Sequence, residues 1–222
     1  MSAAMARPKI KICCMQSVDE ARLAIAHGAS ALGLVSAMPS GFGVIDDDRI
    51  RKIAAAIPPG IASFLLTSAR DADAIVAQQR ACGVATLQLV DALPPGTHAR
   101  LRRELPGVAL VQVIHVQDEG AVDEARAVAG DVDALLLDSG NPGAAVPELG
   151  GTGRTHDWRI SRTVVEAVDR PVYLAGGLRP DNVAAAVRQV RPYAVDVCTG
   201  VRIDGRLDPD RLAAFVAAAG EA

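Results

Sequence analysis

Short apolar runs alternate along this chain with longer stretches in which apolar residues recur every three to four positions. The runs are "KIKICC" (Lys9–Cys14), "ALGLVS" (Ala31–Ser36), "IASFLLT" (Ile61–Thr67), "TLQLV" (Thr86–Val90), "VALVQVIHV" (Val108–Val116), "ALLLDS" (Ala134–Ser139), "PVYLAGG" (Pro171–Gly177) and "AVDVCTG" (Ala194–Gly200). They are short, rich in Val, Ile and Leu, and bounded by Gly, Pro and Asp, so they predict strands. The stretches between them, from "VDEARLAIAHG" to "DPDRLAAFVAAAG", are alanine-rich. Many open on Asp or another capping residue and several end at Gly or before Pro, so they predict helices. Strands that alternate with helices predict parallel βαβ units. Eight units, with no linker, low-complexity segment or second compositional zone, predict a single (β/α)8 TIM barrel domain over residues 1–222. An open doubly wound sheet is the alternative, and it leaves the eightfold alternation unexplained.

Composition narrows the picture. Half of the 222 residues are hydrophobic but only 3% are aromatic, so the core is built from Ala, Val, Leu and Ile. The net charge of −3 is of mixed sign and forms no basic stripe, which argues against a nucleic-acid partner. No apolar run nears the roughly 18 residues of a membrane span. The start, "MSAAMARPKI", lacks the apolar stretch of a signal peptide. A cytoplasmic protein with no membrane partner is expected. The four cysteines, Cys13, Cys14, Cys82 and Cys198, form no CxxC pair, so no metal site is expected. Adjacent Cys13 and Cys14 are expected on opposite faces of a strand, so that only one of them can face a site. Each cysteine also reads as a small buried apolar residue, Cys82 above all.

A barrel places its chemistry at the C-terminal ends of the strands and in the loops that follow. Strand one ends at Cys13–Cys14, with Lys11 and Cys13 on one face; strand six ends at Asp138. The loops after strands six to eight carry Gly151 and Gly153, Gly176 and Gly177, and Thr199 and Gly200. Backbone N–H groups in such turns bind phosphate, although glycines also close plain turns. Asp157 is expected to cap the helix after the long loop of residues 140–155. A thiol and a carboxyl suit proton transfer if the thiol is shifted down from about 8.5 and the carboxyl up from about 3.9. Lys11 would do the first and burial the second. The alternative is that Cys13 is core packing and Asp138 caps a turn. Of Lys9, Lys11 and Lys52, only Lys11 faces inward, and it lies below Cys13, so Schiff-base chemistry is not expected. His115 and His156 read as hydrogen-bonded rim residues.

The motifs carry a family resemblance. "KIC" at the first strand, "LLLDS" at the sixth, "GGTG" followed by "DW", then "LAGGLRPDNVAAAV" and "VDVCTGV" stand in one order along the chain. In that order and spacing the chain resembles the phosphoribosylanthranilate isomerases of tryptophan biosynthesis, from Lys9 to the last helix. The resemblance implies a (β/α)8 barrel, no cofactor, and an Amadori rearrangement of an aldosylamine to a 1-amino-1-deoxyketose. It implies Cys13 as general base and Asp138 as general acid. The phosphate would sit on the N–H groups of Gly153, Gly176, Gly177, Thr199 and Gly200. The expected partner is a small phosphorylated sugar-amine, with Lys11, Asp196 and Arg154 as further substrate-binding candidates.

The departures from the family fall mostly at one end of that site. The motif Lys-Ile-Cys-Gly here has Cys14 in place of its glycine. The Ser-Pro-Arg turn after strand two, whose Arg helps hold the anthranilate, is "MPSGFGVI", without an Arg. Gln-Leu-His-Gly at strand four is "QLVDA", and Val-Phe-Val-Asn at strand three is "SFLLT". His156 replaces the Phe before Asp-Trp, and Arg202 replaces a Glu after strand eight. A benzoate carboxylate favours a bidentate Arg, and its loss from a buried pocket weakens binding by about 2–4 kcal/mol. Arg154 or Arg202 is the available substitute. Two other readings therefore stay open: a different phosphorylated aldosylamine as substrate, or a barrel that binds phosphosugar without turning it over.

Overall fold

Each apolar run forms a strand and each strand is followed by a helix. The computed structural model describes residues 7–39, 41–141, 143–146, 148–149 and 153–222. The order is β1 (Lys9–Ile12), α1 (Val18–Ala26), β2 (Ala31–Val35), α2 (Asp47–Ala55), β3 (Ala62–Thr67), α3 (Ala72–Cys82), β4 (Thr86–Leu89) and α4 (Thr97–Glu104). It continues with β5 (Ala109–His115), α5 (Gly120–Ala129), β6 (Ala134–Asp138), α6 (Trp158–Ala167), β7 (Val172–Leu174), α7 (Val183–Val190), β8 (Ala194–Val197) and α8 (Pro209–Gly220). The eight strands form a closed parallel barrel in chain order, β1 joining β8. The strands stop short of several apolar runs. Cys13–Cys14, Gly176–Gly177 and Cys198–Gly200 turn out of the ladder and form the barrel's mouth.

Alternation along each strand divides the core in two. Ile12, Leu32, Leu34, Leu65 and Leu87 point outward and pack against helix residues such as Ile50, Ile53, Ile75, Val164, Val183, Leu212 and Phe215. Ala31, Phe64, Leu66, Val111, Val113, Ala134 and Leu136 fill the interior as a separate cluster. Phe64 meets Tyr173 edge to face there, with ring centres 5.7 Å apart. The helices begin where the sequence supplies acceptors. Ser17, Asp46, Asp71, Asp157 and Asp208 each accept a hydrogen bond from a backbone N–H of the first turn, which has no partner within its own helix.

A hairpin not expected from the apolar pattern interrupts the last unit. β9 (Arg202–Ile203) pairs antiparallel with β10 (Arg206–Leu207). The two residues between them, Asp204 and Gly205, both have positive φ, 48° and 76°. Asp-Gly is the sequence signal for such a turn. The hairpin matters because it delivers Arg202 to the underside of the β1–α1 loop. Among the described residues no helix is long and apolar enough to cross a membrane.

Phe215 fastens α8 to the barrel and is fully buried. Phe215→Ala is expected to lower stability by about 3–5 kcal/mol, read as a lower urea midpoint with an unchanged slope.

Candidate active site

The mouth of the barrel holds a cavity. Cys13 and Cys14 line it from the end of β1, Gln88 and Val90 from β4 and its end, Asp138 from β6, and Asp196 from β8. Gly153, Gly176, Gly177, Thr199 and Gly200 form one side, and Val35, Met38, Phe42, Leu66 and Leu149 the other.

Beneath the cavity the closing register of the barrel sets Lys11 beside Asp196. Lys11 has none of its surface exposed, and its Nζ lies 2.6 Å from Asp196 Oδ2 and 5.2 Å from the centre of the Phe64 ring. Burial alone would drive the ammonium to lose its proton. Asp196, and behind it Cys13, outweigh that and keep it charged. Burial pushes the Asp196 carboxyl up from its ordinary range against the pull of Lys11. Asp196 Oδ1 is buried and has no protein partner among the described residues. Lys11 itself was expected to touch substrate. It does not line the cavity: its ammonium pairs with Asp196 one layer below.

The expected opposition of Cys13 and Cys14 is corrected by the structure: both line the cavity. Strand geometry ends at Ile12, and Cys14 takes a left-handed backbone with φ of 65°, so alternation no longer applies. Cys13 Sγ rests over Gly33 of β2, where an added Cβ would lie 2.6 Å from the sulfur. That close approach requires glycine. The neighbouring Cys14 thiol, and Lys11 behind it, hold Cys13 below the ordinary thiol range against burial. The Cys14 thiol is raised well above that range by the neighbouring Cys13 and Cys198 thiols and by burial.

Asp138 ends β6 and is buried, with Oδ1 accepting the Ser139 N–H at 2.7 Å. Burial raises its pKa. The Ser139 bond and His115 oppose this, and the Asp196 charge adds to the rise. The cavity therefore receives two proton carriers displaced in opposite directions, a thiol downward and a carboxyl upward.

Gly153, Gly176, Gly177, Thr199 and Gly200 bring three loops together at one end. An added Cβ on Gly177 would lie 2.6 Å from the Arg154 backbone, and one on Gly200 would lie 2.0 Å from the Leu178 carbonyl. Side chains are excluded there so that backbone can pack on backbone. Among the described residues, none of these five N–H groups donates to another loop's carbonyl. Gly151, also expected at this end, lies outside the described residues. Asp157 caps α6 as expected.

The other end is apolar. Among the described residues no Lys or Arg side chain lines the cavity, and the remaining residues carry no charged side chain. Neither expected substitute for the family arginine reaches it. Arg154 is largely exposed and pairs with Glu148 on the outer side of the loop. Arg202 is buried and holds Glu20 at 2.9 and 3.0 Å and the Cys14 carbonyl at 2.6 Å. Its guanidinium is 5.4 Å from the Phe42 ring centre, behind the cavity wall. The sequence reading passed over Gln88, whose buried Oε1 has no partner among the described residues. A polar residue at alternate spacing in an otherwise apolar strand was the available signal. His115 Nε2 bonds the Val90 carbonyl at 2.9 Å and His156 Nε2 lies 2.6 Å from Ser161 Oγ, both outside the cavity. No group of three His, Cys, Asp or Glu among the described residues could hold a metal ion.

Residues 10–218 match the family model for N-(5'phosphoribosyl)anthranilate (PRA) isomerase. The chain is 36% identical over 204 residues to the N-(5'-phosphoribosyl)anthranilate isomerase of Methanocella arvoryzae, covering 92% of this chain and 93% of that one. It is 39% identical over 213 residues to the enzyme of the same name from Haloferax volcanii, covering 95% and 92%. The solved structure of the Pyrococcus furiosus N-(5'-phosphoribosyl)anthranilate isomerase superposes with a TM-score of 0.80 at 26% identity, covering 97% of this chain and all of that one.

His156 makes stability depend on pH. Burial, only partly opposed by Asp157, holds its pKa down to about 4 from the ordinary 6.5. As pH falls through about 6.5 the unfolded chain takes up a proton that the folded one refuses until about 4, so stability is lost across that window. Between pH 7 and about 4.5, wild type should lose about 2 kcal/mol more than His156→Phe. Urea midpoints at the two pH values check this, and comparing variants cancels the titration of the carboxylates.

Proposed function

The chain belongs to the N-(5'-phosphoribosyl)anthranilate isomerase family, and we propose that Cys13 and Asp138 move the protons of its reaction. That reaction is an Amadori rearrangement in tryptophan biosynthesis, an intramolecular isomerisation of an aldosylamine to a 1-amino-1-deoxyketose. The observation that carries the assignment is the pair of opposed environments on one cavity, a thiol held low and a carboxyl held high. Groups displaced in this way can act as base and acid at the same pH.

Asp138 gives its proton to the furanose ring oxygen. The C1–O bond breaks as the nitrogen lone pair forms a Schiff base. The Cys13 thiolate then removes the C2 proton, leaving an enolamine. Ketonisation places a proton on C1 and releases the one on the C2 hydroxyl, which restores the thiolate and the carboxyl. The positive charge of Lys11, held below by Asp196, stabilises the thiolate at the start. Asp196 lines the cavity and its Oδ1 has no partner among the described residues, which suits it to a sugar hydroxyl.

The N–H groups of Gly153, Gly176, Gly177, Thr199 and Gly200 would hold the phosphate, with Gly151 as a sixth candidate. The anthranilate ring then lies among Met38, Phe42, Leu66, Val90 and Leu149. An aromatic ring suits that wall, whereas its carboxylate meets no cation there, which is the one observation favouring a different aglycone. We read residues 1–222 as one barrel domain acting in the cytoplasm, where its four unpaired thiols suit a reducing compartment.

The test follows the fluorescence of freshly made phosphoribosylanthranilate. Wild type should turn it over, and Cys13→Ser and Asp138→Asn should each lose about 10²–10⁴-fold in kcat. A folded variant that keeps wild-type turnover removes its residue from the assigned role. Preference for the phosphoribosylamine of aniline over that of anthranilate would move the substrate to an uncharged ring.

A further inference from the structure

Arg202 is buried behind the cavity wall, and four segments are tied together at its guanidinium. It donates to the Cys14 carbonyl at 2.6 Å, in the turn that follows β1. It donates to the Gly205 carbonyl at 3.0 Å, within the hairpin that carries it. Glu20, in the first turn of α1, accepts from it at 2.9 and 3.0 Å. The centre of the Phe42 ring, in the loop after β2, lies 5.4 Å away. Glu20 is held in its own place, because its carboxylate also accepts the N–H groups of Gln16 at 3.1 Å and Leu207 at 3.3 Å. A planar guanidinium with that many fixed partners can move little.

The turn that Arg202 grips is one that needs holding. Cys14 has a φ of 65°, in the left-handed region that its side chain disfavours. Such a conformation persists only where the surroundings over-determine it. Gly43 of the next loop adds a second constraint: an added Cβ there would lie 2.5 Å from Cys14 Cβ and 3.2 Å from its Sγ. The left-handed residue takes the chain out of β1, so the Cys13 thiol, one residue before, stands where this turn puts it. The Cys13 N–H donates to the Val197 carbonyl at 2.8 Å, and Arg202 holds the carbonyl of the residue that follows. Cys13 is pinned between the two.

We infer that Arg202 is a positioning residue of this site: anchored on Glu20, it holds the Cys14 carbonyl, fixes the left-handed turn and so sets the place of the Cys13 thiol at the cavity. The inference deepens the reading of Cys13 as the base and rests on it. The grip needs a donor, since a carboxylate at this position has no proton to offer a carbonyl. The hairpin, whose Asp204–Gly205 turn brings Arg202 inward, then serves the active site from outside it. A glycine at position 14 would take the same φ without strain and would need no such grip.

The test measures kcat and the rate of Cys13 alkylation by iodoacetamide, with the modified residue located by tandem mass spectrometry. It compares wild type with Arg202→Met and Arg202→Lys, and makes Arg202→Met again in a Cys14→Gly background. Arg202→Met should lower kcat about 10- to 100-fold and change the rate of Cys13 alkylation, with inhibition by inorganic phosphate unaltered. Arg202→Lys keeps a donor for the carbonyl and should recover part of the loss. In the Cys14→Gly background the same Arg202→Met change should cost less, because the turn no longer needs holding. Should Arg202→Met fail to fold for want of a partner for Glu20, adding Glu20→Gln removes both charges and gives the same reading. A role in stability alone would lower the urea midpoint and leave kcat and alkylation of the folded variant at their wild-type values, which overturns the inference. So does a loss of kcat with Cys13 alkylation unchanged, or a loss of equal size in both backgrounds. Altered alkylation with kcat unchanged upholds the positioning of Cys13 and removes Cys13 as the base.

Discussion

Lys11 carries an ammonium through the middle of the barrel with no surface open to water, and Asp196 on the neighbouring strand makes that tolerable. Two lone charges in that place would each be strongly unfavourable; set at 2.6 Å, their attraction offsets the lost hydration. The pairing follows from closure. Only when β8 meets β1 with Lys11 opposite Asp196 do the two side chains share the interior. The same register carries Cys13 and Cys198 out of the sheet side by side. The pair therefore fixes three things at once: a positive charge near the thiol, a buried carboxylate oxygen with no partner among the described residues, and the strand ends from which the mouth is built.

The chemistry follows from an unequal distribution of that charge. Cys13 sits on the Lys11 side. Asp138, on β6, is buried with a backbone N–H and His115 to oppose the rise, and neither reverses it. The strands of one barrel deliver the thiol and the carboxyl into different surroundings, which is what the proposed base and acid require. The glycines of loops six to eight serve the other end of the same cavity. There backbone packs on backbone, and among the described residues none of the five N–H groups donates to another loop's carbonyl.

Much of this was legible in the sequence. Eight apolar runs separated by capped, alanine-rich stretches admit few arrangements, and Asp138 and Asp196 stand out as charges in strands that should be wholly apolar. What escaped was set by backbone conformation and by partners distant in sequence. Cys14 reads as facing away from Cys13 until its left-handed φ is known. Arg202 reads as a cation free to meet a carboxylate. Its partner Glu20 is 182 positions away, so the hairpin that aims it inward is the fact that decides. The Asp-Gly of that hairpin was a readable signal. Arg154 sits in the glycine loop by sequence, yet it turns outward to Glu148. Gly33 gave no sign of its use, since the need for an empty position there comes from a sulfur on the next strand.

The central claim is that, before substrate arrives, the proton resides on Asp138 and not on Cys13. Infrared difference spectra at neutral pH test it directly, with wild type compared to Asp138→Asn for the carboxyl C=O stretch and to Cys13→Ser for the S–H stretch. The expected result is a protonated-carboxyl band that disappears with Asp138 and no S–H band assignable to Cys13. A carboxylate at Asp138 together with an S–H band from Cys13 would mean that the barrel sets the two groups the other way, and the proton transfers assigned to them would not stand.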